Sequence, residues 1–307
     1  MEVKDTVNRS QGWLAGAAVF GIVGALMPRV AACSLGWAAV FLGLVPAAVL
    51  PRYPLPPRWE KTLQLVRCLW ALEAMAISLG LCSQGMAIYT FPGWKAWAPA
   101  LLILALGWRG SYLHPNGLER VGKLMVGLLS IMALALFLLT LPRLKWQRLA
   151  VRGWGDVWEA VQIFLLTAGA GAALIPARGK GPALATAGMG SAAAALTTGA
   201  EGSALAGMLA YPMLTLCDAA VFELRMSPFG SAMWALSEAA LLILLLSWFP
   251  GGKGVAALAC AVVFALTFTL PWQGHAVVIF LIAGAALGYL PVLWGMMHKH
   301  FTGESYI

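Results

Sequence analysis

Residues 21–28 read Gly-Ile-Val-Gly-Ala-Leu-Met-Pro, and residues 169–176 read Gly-Ala-Gly-Ala-Ala-Leu-Ile-Pro. In each, a Gly stands seven positions before a Pro, and an Arg follows closely, Arg29 in the first and Arg178 in the second. Both lie inside long apolar segments about half the chain apart. Glycine frees the backbone and proline removes a hydrogen-bond donor, so each segment is expected to be a broken helix. Inside a membrane, exposed backbone dipoles are tolerated only where they line a cavity or are buried in protein. Matched breaks in two halves of a membrane chain point to a transporter-type binding site.

The composition places the chain in the membrane class. It is 61% hydrophobic and only 10% charged over 307 residues, where soluble chains carry about 25% charged residues. The net charge of +8 calls for no nucleic acid, because excess Lys and Arg in cytoplasmic loops accounts for it. Cys33, Cys68, Cys82, Cys217 and Cys260 lie in or beside apolar segments without a CxxC pair. They read as small buried hydrophobes. Val30-Ala31-Ala32-Cys33 resembles a lipoprotein cleavage box, but Arg29 before it and the hydrophobic segments after it argue against a signal peptide.

A membrane span needs about 20 apolar residues, and about ten such segments follow one another. They cover 12–28, 33–50, 64–91, 97–113, 120–141, 158–177, 182–200, 229–250, 254–271 and 275–297. Residues 203–224 are also apolar. Pro212, Asp218 and Glu223 within them favour a re-entrant or surface hairpin over a further span. The distribution of Lys and Arg favours both termini on the inner side. Against it stands the cluster Arg143, Lys145, Arg148 and Arg152 in the longest connection. That connection is the natural seam between a five-helix repeat at 12–141 and a second at 158–297 within one membrane domain. Two halves of five spans have opposite orientation, so the expected fold is all-α, with a 5+5 inverted repeat whose helices 1 and 6 are broken (LeuT-like).

Few ionisable side chains fall deep within these spans. Glu73 and Glu238 each stand nine residues from the start of theirs, roughly 13 Å into a core about 30 Å thick. A carboxylate at that depth costs several kcal/mol, which makes intramembrane acids functional candidates. Such a group would carry a proton or pair with a ligand ammonium. Ser78, Gln84 and Ser237 are its expected polar neighbours. Helix ends freed at a break suit a ligand carboxylate. The amides around Gly21, Ile22 and Gly24 and around Ala168, Gly169 and Gly171 are therefore the expected anion side of the site.

The chain also resembles a known family. Gly21 to Pro28, then Gly36-Trp37, is similar to the first helix of the spore germination permeases, the membrane subunits of germinant receptors. These belong to the amino acid-polyamine-organocation transporter superfamily. Gly117-Leu118-Glu119-Arg120-Val121-Gly122-Lys123 resembles the family's stretch entering helix five. Leu209-Ala210-Tyr211-Pro212 resembles its Tyr-Pro hairpin, and Met233-Trp234 the aromatic start of its helix eight. The likeness runs along nearly the whole chain, although the chain is short for the family and Lys123 stands where Arg is usual. The resemblance implies that helices one, three, six and eight surround a small, amino-acid-like ligand, bringing Glu73 and Glu238 towards the breaks. It further implies germinant sensing with partner subunits in a bacterial cell membrane, that of a spore-former. Lys123 would then act as a fixed cation in place of a coupling ion, unless it snorkels to the interface.

Three other readings stand beside this one. They are a proton- or cation-coupled amino acid transporter, a degenerate non-transporting scaffold, and a membrane enzyme. The last would need convergent His, Asp or Ser groups, which the spans do not offer. No HExxH, GxSxG or P-loop pattern occurs, and no cofactor or metal is expected. His298 and His300 belong to the tail beyond the last span. The fourteen tryptophans fall largely near span ends, as in an aromatic belt.

Overall fold

The computed structural model describes residues 2–49, 57–174, 180–220, 227–250 and 252–269, with 284, 286, 287, 289, 290 and 292–297 beyond them. Among the described residues there is no strand. The helices are α1 (Glu2–Ala32), α2 (Gly36–Val49), α3 (Pro57–Tyr89), α4 (Trp97–Gly110), α5 (Pro115–Thr140), α6 (Trp154–Leu174), α7 (Lys180–Glu201), α8 (Ser203–Met208), α9 (Pro212–Ala220), α10 (Ser227–Leu246) and α11 (Gly252–Thr269). Two 3-10 turns, Leu141–Arg143 and Trp146–Leu149, make the connection expected to be the seam. The 203–224 stretch gives two short helices, α8 and α9, before its described part ends at residue 220.

Five of the expected spans are helices long and apolar enough to cross a membrane: Gln11–Ala32, Trp59–Tyr89, Pro115–Arg143, Pro228–Leu246 and Gly252–Thr269. By helix length and composition this is an all-α membrane protein. The other expected spans differ. α2 and α4 have 14 residues each, or roughly 21 Å at 1.5 Å per residue, short of a core about 30 Å thick. α6 and α7 have the length, but α6 opens on Asp156 and Glu159 and α7 is rich in Gly and Ala. Most of 275–297 lies outside the described residues.

The expected break in the first helix is not there. α1 continues unbroken through Gly21–Pro28 to Ala32, with Pro28 inside it. A helical glycine costs only about 1 kcal/mol relative to Ala, and close packing offsets that. Pro28 comes near the helix end, where its missing N–H deprives only the Gly24 carbonyl. α6 is likewise continuous across Gly169–Gly171 to Leu174, while Pro176 falls outside the described residues.

α1 is the hub. Ala15, Ala17, Ala18, Val19, Phe20 and Val23 are all buried, and the helix packs along α5, α7 and α10. Small residues let the backbones close in. A Cβ on Gly16 would lie 2.9 Å from the Pro182 carbonyl of α7, and one on Gly122 of α5 would lie 2.7 Å from the Cβ of Trp13. Hydroxyls bridge to main-chain carbonyls: Ser237 Oγ donates to Ala17 at 2.6 Å, Thr198 Oγ1 to Ala31 at 3.2 Å and Ser191 Oγ to Trp37 at 2.6 Å. Close contact and interhelical hydrogen bonds of this kind hold membrane helices together.

The same contacts give helix directions. Gly16 meets Pro182, Gly190 meets Val23 and Ala31 meets Thr198, so α1 and α7 are parallel. Gln64 donates to the Trp248 carbonyl, Ser78 to Glu238, and Thr90 bonds Ser231, so α3 and α10 are antiparallel. α2 turns back from α1 within residues 33–35. It runs parallel to α6, from Ser34 beside Asp156 to Gly43 beside Phe164. α1 and α6 therefore run in opposite directions.

The α2–α6 seam depends on Gly43, where a Cβ would lie 2.7 Å from the Phe164 carbonyl oxygen, whereas one on Gly127 of α5 would meet nothing within 4 Å. Gly43→Ala should therefore destabilise the protein by about 1–3 kcal/mol through overpacking. Gly127→Ala should stabilise it by up to about 1 kcal/mol through helix propensity. Thermal unfolding of the two variants in detergent checks both signs.

Candidate functional site

Glu238 is the one acid of the expected pair that enters the core. Its side chain is fully buried, at 0% exposure, on α10 where that helix faces α1 and α3. Ser78 of α3 donates a short hydrogen bond to Oε2. Oε1 is buried with no hydrogen-bond partner among the described residues. Buried polar atoms are nearly always partnered, so such an oxygen needs an explanation. The preceding residue, Ser237, uses its hydroxyl on the Ala17 carbonyl and fixes α10 against α1. Both expected serine neighbours are thus in place, one on the carboxyl and one locking the helix that carries it.

One turn before Glu238 stands Trp234, on the same helix face. It is buried, and its Nε1 also lacks a partner among the described residues. Gly24 makes room for it, since a Cβ there would lie 3.3 Å from Nε1. Here α1 carries its notch, because Pro28 has no N–H for the Gly24 carbonyl. A cavity of about 20 Å³ opens at that notch, lined among others by Gly24, Pro28, Tyr211, Pro212 and Trp234. That is about the room one water needs.

Tyr211 closes the cavity from the α8–α9 connection. Its ring lies 6.0 Å from those of Trp234 and Tyr89, and its hydroxyl makes a long 3.5 Å bond to Gln84 Oε1. Tyr89 and Thr215 share a 3.0 Å hydrogen bond, and Thr90 bonds Ser231. Polar contacts therefore accompany α3 from Ser78 to Thr90 along an otherwise apolar core.

The remaining expected residues lie elsewhere. Gly21 faces Ser237, with a would-be Cβ 2.8 Å from Oγ, so it is a packing contact beside the acid. Ile22 is half-buried against the core. Ala168, Gly169 and Gly171 are buried in α6, which packs mainly on α2. The Ala168 amide nitrogen would lie 3.1 Å from a Cβ on Gly43. Because both helices are continuous at these glycines, their amides belong to helix interiors and are not freed donors. Glu73 is exposed on α3 and does not join Glu238. Lys123 lies 2.7 Å from Glu119 in a half-exposed ion pair and 5.8 Å over the Trp13 ring. It is held at the surface of α5, as snorkelling predicts.

Sequence reasoning missed Trp234 and Tyr211 as site residues. The four-residue spacing of Trp234 and Glu238 was the available signal. It also missed Asp156, which ties the α1–α2 turn to the start of α6. Ser34 Oγ donates to Asp156 Oδ2 at 2.6 Å, the Arg152 amide donates to the same oxygen at 2.9 Å, and Cys33 Sγ donates to the Asp156 carbonyl at 3.2 Å. An acid in the first turn of a helix also suits its dipole.

No protein-family model matches the chain, and no curated protein matches it at a significant level. The class defined by fold and composition is an all-α membrane protein.

Two outcomes follow from this geometry. Ser78→Ala should leave a buried carboxyl oxygen unpartnered and cost about 1–3 kcal/mol, whereas Ser191→Ala, at a main-chain carbonyl on another seam, should cost about 1 kcal/mol. Unfolding of both variants in detergent measures the difference. The second concerns acid. The Ser34 hydroxyl first, and then the Arg152 amide, hold the Asp156 carboxyl below the usual carboxylate range. A carboxyl with a lower pKa folded than unfolded stabilises above its ordinary value of about 3.9, and that contribution is lost as pH falls towards the folded value. Between about pH 5 and pH 3 the native protein should lose more melting temperature than Asp156→Asn.

Proposed function

We propose that this chain is a permease-fold membrane protein that binds a small amino-acid-like solute beside Glu238. The observation that carries the reading is the buried Glu238 carboxyl, with Oε2 held by Ser78 and Oε1 without a partner among the described residues, one turn from an indole N–H that likewise has none among them. Glu238 pairs with the solute ammonium. The Trp234 N–H replaces the helix-end amides as donor to the solute carboxylate. A cavity of about 20 Å³ is too small for an amino acid, so binding requires Tyr211 and the α8–α9 segment to move off the α1 notch.

The packing pattern supports a 5+5 inverted repeat. α1 lies along α7 as α6 lies along α2, α2 packs on α7, and α3 packs on α10. A two-fold axis that exchanges α1 with α6, α2 with α7 and α3 with α10 maps each of these contacts onto another or onto itself. The opposite directions of α1 and α6 agree with it. In this reading α2, α4, α6, α7 and the 275–297 segment complete the ten spans. The resemblance to spore germination permeases then makes the protein the germinant-sensing subunit of a receptor in a bacterial membrane, with partner subunits. A proton- or cation-coupled transporter is the alternative. The small cavity favours, as a second reading, a scaffold that no longer binds.

A thermal-shift screen of the purified protein against amino acids, nucleosides and polyamines tests this. At one hundred times Kd a ligand adds about 2.7 kcal/mol to the stability of the folded state. An amino acid should stabilise the native protein and Glu73→Gln, and should fail to stabilise Glu238→Gln. No stabilisation by any compound would reject binding in favour of the scaffold.

A further inference from the structure

A second cavity lies away from Glu238, between the end of α1 and the start of α6. It measures about 210 Å³ and is lined by Arg29, Ala32, Glu159, Gln162, Ile163 and Leu166. Arg29 and Glu159 are both exposed and form no ion pair with each other or with any other described residue. An unpaired cation, an unpaired anion and an amide thus share one cleft. A ligand that fits carries a negative group and an ammonium a few bonds apart. Arg29 presents a planar fork suited to phosphate or carboxylate, Glu159 accepts from an ammonium, and Gln162 serves either.

The level of the cleft chooses between ligands of that chemistry. Arg29 lies three residues before the end of α1, and Glu159 lies in the second turn of α6. Trp154 and Trp158, at the same end of α6, are 87% and 64% exposed. Exposed tryptophans at a span end mark the headgroup level of a bilayer. Beyond the charged pair, Val161 and Leu165 are 42% and 58% exposed and follow Trp158 and Gln162 along one face of α6, which suits an acyl chain. The geometry points to a site for a phospholipid whose headgroup carries a primary ammonium, with its phosphate on Arg29 and its ammonium on Glu159. A free amino acid has the same two charges but leaves the exposed apolar face of α6 unused. This site is independent of the Glu238 reading and would hold if that reading failed.

Native mass spectrometry of the full chain reconstituted with phosphatidylethanolamine, phosphatidylglycerol or phosphatidylcholine tests the assignment. The native protein should retain phosphatidylethanolamine over the other two. Glu159→Gln should lower that retention roughly tenfold, the worth of one charge-assisted hydrogen bond, and leave phosphatidylglycerol unchanged. Arg29→Gln should weaken all three lipids. Both side chains are exposed, so helicity by circular dichroism should match the native protein. Equal retention across lipids and variants would overturn the proposal. So would displacement of bound phosphatidylethanolamine by free alanine that binds the delipidated protein through the same two residues.

Discussion

In a bilayer, apolar side chains gain little by facing one another instead of lipid, so helices are held by close backbone approach and by hydroxyls that reach across. α1 is built on that constraint. Its buried face mixes alanine and glycine with larger apolar residues, and Ser237 and Thr198 donate to its main-chain carbonyls at Ala17 and Ala31. Removing α1 from its neighbours would leave α5, α7 and α10 without their common surface. The direction and register of those helices, and hence the position of Glu238, follow from these few short contacts.

The same packing explains how a polar site exists here without a broken helix. Gly24 lets the Trp234 indole lie against α1, and Pro28 leaves the carbonyl of that turn without its usual donor. The result is a notch in an intact helix, with an indole donor on one side and Tyr211 closing it. Glu238 stands one turn further along α10, held by Ser78. Donor and acid thus come from α10 and the acceptor from α1, two helices whose spacing depends on small residues.

The helical class and most of the long apolar helices were legible because span length is a property of local composition. The state of the glycines was not. Gly21 and Gly24 read as a break because Gly and Pro weaken a helix locally, yet their use was tertiary, as the surface on which Ser237 and Trp234 rest. Glu73 and Glu238 were indistinguishable in the chain, since each stands at the same depth in an apolar segment. Facing separates them, because Ser78 and α1 cover Glu238 while Glu73 remains on the open side of α3. A helix with apolar residues on every side carries no periodic signal of its facing. The Asp156 clamp was hidden for a related reason, since its partner Ser34 lies more than a hundred residues away.

If Glu238 is the acid that meets the solute, its carboxyl must change environment when the solute arrives. Infrared difference spectroscopy of the protein in lipid, recorded with and without a mixture of amino acids, reads that carboxyl directly. The account predicts a change in the carboxyl stretching region in the native protein that disappears in Glu238→Gln and persists in Glu73→Gln. A native spectrum that does not respond, or a response that survives in Glu238→Gln, would contradict it.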